Sequence, residues 1–315
     1  MTSKAQPTAD KSHPLVSEDR AHLLTEQRLK ESMNLDSMST EDAVAVMNAQ
    51  DMRAVEAVAA ERQNVARAVD ELVVPALRDG GRLFYFGAGS SGRIGVLDAS
   101  ECPPTYRADP NMVQGIMAGG DCAVFRSREG AEDSAETGAK LVDEKNVGKG
   151  DVVMGIAAGG TTPFVHGALR RATERGAKTI FLSCVQPVPN EPKVDVVIRP
   201  LTGPEVVTGS TRLKAGTATK LVLNQITTLS FVRLNKVYGN LMVDLKASNA
   251  KLWDRAARIV SSVTGLDRDR AIDLLRGTDG HVKLAILVHK RKIGVMEAKD
   301  LLEKSGGNLR AAIGE

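Results

Sequence analysis

The segment RLFYFGAGSSGRIGVL, residues 82–97, places a short apolar run directly before a glycine-rich turn and the start of a helical pattern. Further apolar runs, each next to a turn and a helical pattern, lie at residues 113–118, 151–156, 178–183 and 194–198. Strands that alternate with helices form a parallel sheet covered on both faces. The sequence therefore predicts an α/β fold with a parallel sheet and helices on both faces.

Helical patterns surround these runs. Apolar residues between Met52 and Leu77 recur at spacings of three, four or seven, which is typical of an amphipathic helix. Ser39 or Thr40 is expected as the N-cap of the helix before it. A later helix is predicted from about residue 217 to residue 234.

After about residue 252 the chain shows no strand pattern. The breaks GTDG, RKIG and SGG indicate three short helices in this part. We therefore expect a flexible polar lead over residues 1–36, a sheet domain over 37–252 and a small helical domain over 253–315. The lead lacks the apolar core of a secretory signal.

The composition excludes several classes of function. Of the 315 residues, 42% are apolar and 26% are charged, as in ordinary globular proteins. Aromatic residues make up 3% and the formal net charge is +3, so a nucleic-acid partner is not expected. No apolar run approaches the roughly 18 residues of a membrane helix.

Cysteine and histidine residues are scattered along the chain. Cys102, Cys122 and Cys184 form no CxxC pair, so reduced thiols in a cytoplasmic protein are expected. The five histidines form no HExxH pair and no cluster with cysteine, so a metal site is not expected. Any chemistry is expected to rest on carboxylates, hydroxyls and backbone dipoles.

Two glycine-rich loops follow predicted strands, at the edge of the sheet where ligands bind in such folds. The first carries Gly89, Ser90, Ser91 and Gly92, which offer backbone N–H groups and hydroxyls to an anion at a helix start. The alternative is a tight turn between strand and helix. The first loop lacks the GxxxxGK[ST] pattern of a Walker loop, and its match to GxGxxG is by itself weak evidence for dinucleotide binding.

The second loop carries Gly159, Gly160, Thr161 and Thr162 before Pro163. Taken alone it is typical of a capped helix with proline in its first turn. Two such loops on one sheet indicate a clamp for a phosphorylated small molecule.

The acidic candidates are Glu101 and Glu132. Glu101 lies one short helix beyond the first loop, where two prolines are expected to end that helix. Glu132 lies with neighbouring acids on one predicted helical face, and such a face is usually just solvated. Two carboxylates facing one sugar would form an acid/base pair if their environments separate their pKa values.

The segment TGSTRLKAGTATK, residues 208–220, includes Ser210 and Lys214 just before a helix. It is either a further anion contact or a solvated helix start, and the residues do not decide between the two.

Four segments closely resemble the N-acetylmuramic acid 6-phosphate etherases. They are GRLFYFGAGSSGRIGVLDASECPPTY at residues 81–106, REGAEDS at 128–134, PEVVTGSTRLKAGTATKLVLN at 204–224 and VYGNLMVDLKASNAKL at 237–252. The segment LLTEQRLKESMNLDSMSTEDAV at residues 23–44 also resembles the amino-terminal part of that family. The resemblance runs from about residue 23 to the carboxyl end. It implies a sugar isomerase (SIS) fold, a homodimer and no metal or redox cofactor. It also implies cleavage of the D-lactyl ether of N-acetylmuramic acid 6-phosphate, which gives N-acetylglucosamine 6-phosphate and D-lactate.

By the same resemblance, Glu101 matches the proton donor of the family and Glu132 matches a second active-site acid/base residue. Ser91 and its neighbours are expected to hold the phosphate, with help from Thr162 and the amides around Gly159 and Gly160. The chain departs from the family pattern ASGRTP, because Gly159 and Thr161 stand where a serine and an arginine are common. The second loop thereby loses a hydroxyl and a cation.

Two other functions are compatible with parts of this pattern, and a third is disfavoured. The glucokinase regulatory protein, a sugar-phosphate sensor without catalysis, resembles the same family but lacks a counterpart of DASECPPTY. An aldose–ketose isomerase would also use a carboxylate at the sugar C2. A DNA-binding regulator is disfavoured, because no basic helix-turn-helix precedes the sheet domain.

Overall fold

The computed structural model describes residues 20–245 and 249–315, so most of the predicted lead lies outside the described residues. Five parallel strands form one sheet in the order β2-β1-β3-β4-β5. Their bounds are β1 Leu83–Gly87, β2 Val113–Met117, β3 Val152–Ile156, β4 Lys178–Leu182 and β5 Val196–Ile198. Each predicted strand is confirmed. Because β1 and β3 are neighbours, the loops that follow them meet at one edge of the sheet.

Eight helices accompany the sheet in the described chain. They are α1 Thr40–Ala60, α2 Arg62–Arg67, α3 Val74–Arg78, α4 Gly89–Tyr106, α5 Cys122–Phe125, α6 Ala135–Glu144, α7 Pro163–Glu174 and α8 Lys214–Arg233. A π-helical stretch, Ala68–Val73, joins α2 to α3. Ser39 is the N-cap of α1, because its side chain accepts a hydrogen bond from the Asp42 N–H at 3.1 Å.

Alternate strand residues point to opposite faces and fill two separate cores. Leu83 and Tyr85 of β1 pack among α1–α4 and α8, whereas Phe84 and Phe86 pack against α7. Both faces of the sheet are therefore covered, as the apolar runs predicted. No helix of the described ranges is long and apolar enough to cross a membrane.

The segment before α1 is folded against the sheet domain from Arg20 onward. It forms three short 3₁₀ turns, Leu24–Glu26, Lys30–Ser32 and Leu35–Ser37. Leu23 is buried with Val185 and Val188, and the Ser32 hydroxyl donates to the Val206 carbonyl at 2.8 Å. The described part of the predicted lead thus has fixed contacts with the loops after β4 and β5.

The C-terminal part is helical as predicted, but it holds five described helices instead of three. They are α9 Ala250–Thr264, α10 Arg268–Gly277, α11 Val282–Arg291, α12 Val295–Lys304 and α13 Leu309–Ile313. The prediction missed the end of α9, where Gly265 adopts φ +77°. It also missed the start of α10, where the Asp267 side chain caps the Arg270 N–H.

Helix α4 does not end at Glu101, which corrects the prediction from the two prolines. The helix passes through Pro103 and Pro104 and stops at Tyr106, because Arg107 adopts φ +52°. A proline inside a helix removes one N–H donor and crowds the carbonyl four residues earlier, so Pro103 and Pro104 leave the carbonyls of Ala99 and Ser100 without their usual helical donors, yet the helical backbone continues. Glu101 and Cys102 are therefore helical. Cys102 is buried in the core, and burial raises the pKa of its thiol to about 12.

Helix α4 lies unusually close to strands β1 and β2. A Cβ added to Gly115 of β2 would stand 2.6 Å from the Val96 Cα of the helix, and one on Gly95 would stand 2.9 Å from the Tyr85 Cβ. Buried Asp98 adds polar contacts, because its carboxylate accepts from the Tyr85 hydroxyl at 2.9 Å and from the Asn224 amide at 2.7 Å. Burial raises the pKa of Asp98, and these donors oppose that rise.

We expect Gly115→Ala to lower the free energy of unfolding by about 1–3 kcal/mol, because the added methyl overpacks the α4 contact. Urea unfolding followed by circular dichroism measures this. Gly148→Ala is the matched control, since the nearest atom to its added Cβ lies at 3.8 Å. Equal stability of the two variants would contradict the close approach.

Candidate active site

The first glycine loop presents the N-terminus of α4 at the end of β1. Ala88 is the N-cap and offers no side-chain hydrogen bond, so the first N–H groups of the helix are left to another acceptor. Gly89 adopts φ +53°, which a residue with a side chain rarely does. Ser90 and Ser91 add hydroxyls in the first turn. This is the arrangement that binds an anion at a helix N-terminus.

The second loop, residues 157–162, follows β3 and leads into α7. Gly160 adopts φ +75°, and its N–H donates to the Ala157 carbonyl at 2.8 Å. Buried His166 of α7 lies 2.7 Å from the Gly160 carbonyl through Nε2. Because a carbonyl only accepts, Nε2 must carry the proton. His166 therefore fixes the loop from beneath, a role that the sequence alone did not indicate.

Glu132 lies in a turn between the two loops and not on a helix, which corrects the predicted acidic helical face. Gly130 adopts φ +73°, and Ser134 caps α6, so the helix starts only at Ala135. The Glu132 carbonyl accepts a hydrogen bond from the Phe164 N–H at 3.0 Å. This bond attaches the Glu132 backbone to the start of α7.

A cavity of about 220 Å³ lies between the loops. It is lined by seven of the predicted site residues: Gly89, Ser90, Ser91, Glu132, Gly159, Thr161 and Thr162. Hydroxyls, backbone N–H groups and the Glu132 carboxylate thus converge on a single space, which Glu26 also lines. A second cavity shares Ala88, Gly89 and Glu132 with it and extends toward β2.

Four predicted contact residues do not line this cavity. Gly92 is packed against the Gly87 carbonyl, where an added Cβ would stand at 2.6 Å, and Gly160 is buried within the second loop. Ser210 lies between the lining residues Gly209 and Thr211, but is not itself among them. A contact of these residues with a ligand remains a prediction.

Lys214 is the fourth, and it is only 1% exposed. Its ammonium donates to the Gln50 side chain at 2.7 Å, and burial lowers its pKa. Buried Glu205, which the sequence reasoning missed, accepts from the Lys214 and Ala215 N–H groups at 3.0 and 2.9 Å. Glu205 thereby caps α8, so the described contacts of this pair are structural.

Glu101 is exposed and lies far from the cavity of its own chain. It follows Gly89 by twelve residues along α4, which corresponds to about 18 Å at 1.5 Å per residue. The structure therefore brings Glu132 to the two loops but does not bring Glu101 there.

The segment before α1 contributes residues that the sequence reasoning did not select. Arg20, Leu23 and Glu26 line the cavity opposite the loops. These side chains reach the site through tertiary contacts, and their polar, irregular sequence carries no periodic signal. Only the resemblance, which begins near residue 23, bears on part of this segment.

Among the described residues, no group of three or more histidine, cysteine, aspartate or glutamate side chains is placed to hold a metal ion.

Comparisons with known proteins agree with this architecture. The glucokinase regulatory protein N-terminal SIS domain matches residues 64–173, and the C-terminal lid domain of the same protein matches residues 239–283. The parallel-sheet domain is thus of SIS type.

Two curated relatives are both called N-acetylmuramic acid 6-phosphate etherase. The protein from Synechocystis sp. is 51% identical over 298 residues, or 95% of this chain and 97% of its own length. The protein from Crocosphaera subtropica is 51% identical over 94% of this chain and 97% of its own. A solved phosphoheptose isomerase from Francisella tularensis has a TM-score of 0.49 at 19% identity and covers 62% of this chain and 100% of its own.

We expect His166→Phe to destabilise the protein by about 1–3 kcal/mol at neutral pH, because it leaves the buried Gly160 carbonyl unpaired. Burial lowers the pKa of His166 below its ordinary 6.5, so the unfolded chain binds more protons as the pH falls through 6.5. The wild type should therefore lose stability on acidification, and His166→Phe should lose less.

Thermal unfolding across the pH range from about 5 to 8 measures both effects, because that range spans the histidine titration. His289→Gln, in α11 of the helical domain, is the control. Identical pH profiles for wild type and His166→Phe would exclude the proposed loop contact.

Proposed function

The chain belongs to the N-acetylmuramic acid 6-phosphate etherase family, and we propose that it cleaves the D-lactyl ether of N-acetylmuramic acid 6-phosphate. The products are N-acetylglucosamine 6-phosphate and D-lactate. The observation that carries this proposal is the cavity in which both glycine-rich loops meet the Glu132 carboxylate. The 51% sequence identity to two etherases over 94–95% of the chain supports it further.

The loops suit the phosphate of such a substrate. Ser90 and Ser91 in the first turn of α4 line the cavity, and Thr161 and Thr162 of the second loop line it as well. A phosphate placed there receives donors from two directions. The sugar then extends past Glu132, which lines both this cavity and the adjoining one.

The proposed chemistry is an elimination followed by an addition of water. In the open-chain sugar the C1 aldehyde acidifies the proton on C2. The Glu132 carboxylate takes this proton, the C3–O bond breaks, and a carboxylic acid gives its proton to the departing D-lactate oxygen. Water then adds at C3 and a proton returns to C2. The step is a carbon–oxygen lyase reaction and needs no change of oxidation state.

The second carboxyl group is proposed to be Glu101 of a partner subunit in a homodimer. Glu101 lies too far along α4 to serve the cavity of its own chain, but it faces outward. On the same side of the domain, Leu97 is 54% exposed and Phe125 is 89% exposed, and the Arg93 guanidinium connects α4 to the Ala123 and Val124 carbonyls beside Phe125. Docking this surface against a second copy would bury apolar area and deliver Glu101 to the partner.

The matches to the glucokinase regulatory protein leave the sensor as the alternative function. They cover residues 64–173 and 239–283, whereas the etherase relatives align with 94–95% of the chain. We also propose a cytoplasmic location, because all three cysteines are free.

Incubation with N-acetylmuramic acid 6-phosphate should release D-lactate, and Glu132→Gln should lower kcat by about 10²–10⁴-fold because it removes the base. An enzymatic D-lactate assay measures this. Glu136→Gln, an exposed change in the first turn of α6, is the control. Tight binding of the substrate by wild type without D-lactate would favour the sensor.

Mixing two inactive variants tests the shared site. A dimer of one Glu101→Gln chain and one Glu132→Gln chain has one intact site if Glu101 acts across the interface. Purified through two different tags, it should recover about half of the wild-type activity, because one of the two symmetric sites is complete. If Glu101 acted within its own chain, every site would be defective and the mixed dimer would stay inactive.

A further inference from the structure

We propose that Arg20 is the cation that binds the substrate phosphate, and that the segment Arg20–Glu26 sets the preference of the site for phosphorylated sugars. This inference rests on the proposed function, because it concerns the same cavity. It assigns a role to a residue that lies outside every segment carrying the family resemblance.

The charges around the cavity require a cation. A sugar phosphate brings a charge of about −1.5 to −2 at neutral pH. The cavity already holds two carboxylates, Glu26 and Glu132, and its two loops contribute only neutral groups. Among the described residues that line it, Arg20 alone is basic. Without Arg20, the described lining of the cavity would offer the phosphate two like charges and neutral donors only.

Two other cations near the site, Lys214 and Arg93, bind elsewhere. Lys214 is buried and donates to Gln50. Arg93 lines the adjoining cavity, and its guanidinium donates to the Val124 and Ala123 carbonyls, both at 2.8 Å. Arg20, in contrast, is exposed and forms no ion pair within the described chain. Its guanidinium is available for a phosphate, which it matches through paired N–H groups.

The backbone around Arg20 is held in place over the loops. The Leu23 N–H donates to the Arg20 carbonyl at 2.9 Å, and Leu23 itself is buried with Val185 and Val188. The Gly209 N–H donates to the Thr25 carbonyl at 2.9 Å. The segment is therefore a fixed wall of the cavity, so the position of Arg20 depends on contacts that other variants can leave intact.

Thr25 gives a second indication that this wall is built for a polar ligand. Its hydroxyl oxygen is buried and has no hydrogen-bond partner among the described residues. It lies 3.9 Å from the position that a Cβ on Gly159 would occupy, directly beside the second loop. Buried hydroxyls are normally paired, so an unpaired one next to a binding loop points to a partner that arrives with the ligand or with a small movement of the loop.

Calorimetric titration with N-acetylglucosamine 6-phosphate and with N-acetylglucosamine tests the role of Arg20. Arg20→Gln should weaken binding of the phosphorylated sugar by about 10- to 100-fold, since a charge-assisted bidentate contact is lost. Binding of the sugar without phosphate should not change. Arg20→Lys should keep part of the affinity, and Lys30→Gln, an exposed change outside the cavity lining, should bind as wild type.

Steady-state kinetics give an independent readout. Arg20→Gln should raise KM for N-acetylmuramic acid 6-phosphate by a similar factor and leave kcat within about threefold. The reason is that the contact between Arg20 and the phosphate contributes the same binding energy in the ground state and in the transition state. Equal affinity of Arg20→Gln and wild type for the phosphorylated sugar would overturn the inference. Absence of D-lactate release with Arg20-dependent binding would instead reject only the etherase function.

Discussion

The close approach of helix α4 to strands β1 and β2 is the contact on which the site depends. Gly92, Gly95 and Gly115 leave no room for a side chain between the helix and the sheet. The helix axis is thereby fixed at backbone distance, and its N-terminus stands directly at the carboxyl end of β1. Because β3 pairs with β1, the second loop is placed beside the first. One steric constraint thus positions both loops of the proposed anion site.

The elements that the sequence predicts well are those with a local signal. Strands buried on both faces must be apolar throughout, so β1, β3 and β4 are visible as short runs, and the glycine loops follow them directly. The errors arise where nearby residues determine a backbone conformation that the spacing of side chains does not reveal. A proline normally ends a helix at the residue before it, yet α4 continues through Pro103 and Pro104 to Tyr106 and stops where Arg107 adopts a positive φ. Glu132 has helical spacing to other acids, but the positive φ of Gly130 and the cap at Ser134 make a turn.

Residues placed by long-range contacts gave no such signal. Arg20 and Glu26 reach the cavity because Leu23 is buried against the loop after β4, a contact across more than 150 residues of chain. For Lys214 the sequence did give a signal, but the signal was misleading. Its position before a helix suggested an anion contact, but Glu205 caps that helix and Gln50 takes the ammonium. A basic residue near a glycine-rich turn in the sequence can either face the ligand or be buried, and the sequence does not distinguish these two positions.

The separation of the two glutamates has a chemical consequence. The proposed elimination needs one carboxylate and one carboxylic acid at the same sugar, and Glu101, about 18 Å along α4 from Gly89, is too far from the cavity to act there with Glu132 of its own chain. Glu132 already lines the cavity between the two loops, so the group that is missing there is the second carboxyl. An interface through exposed Leu97 and Phe125, as proposed, would bring Glu101 of one subunit to the cavity of the other. Dimerisation would therefore complete a site that one chain alone leaves with half of its acid/base pair.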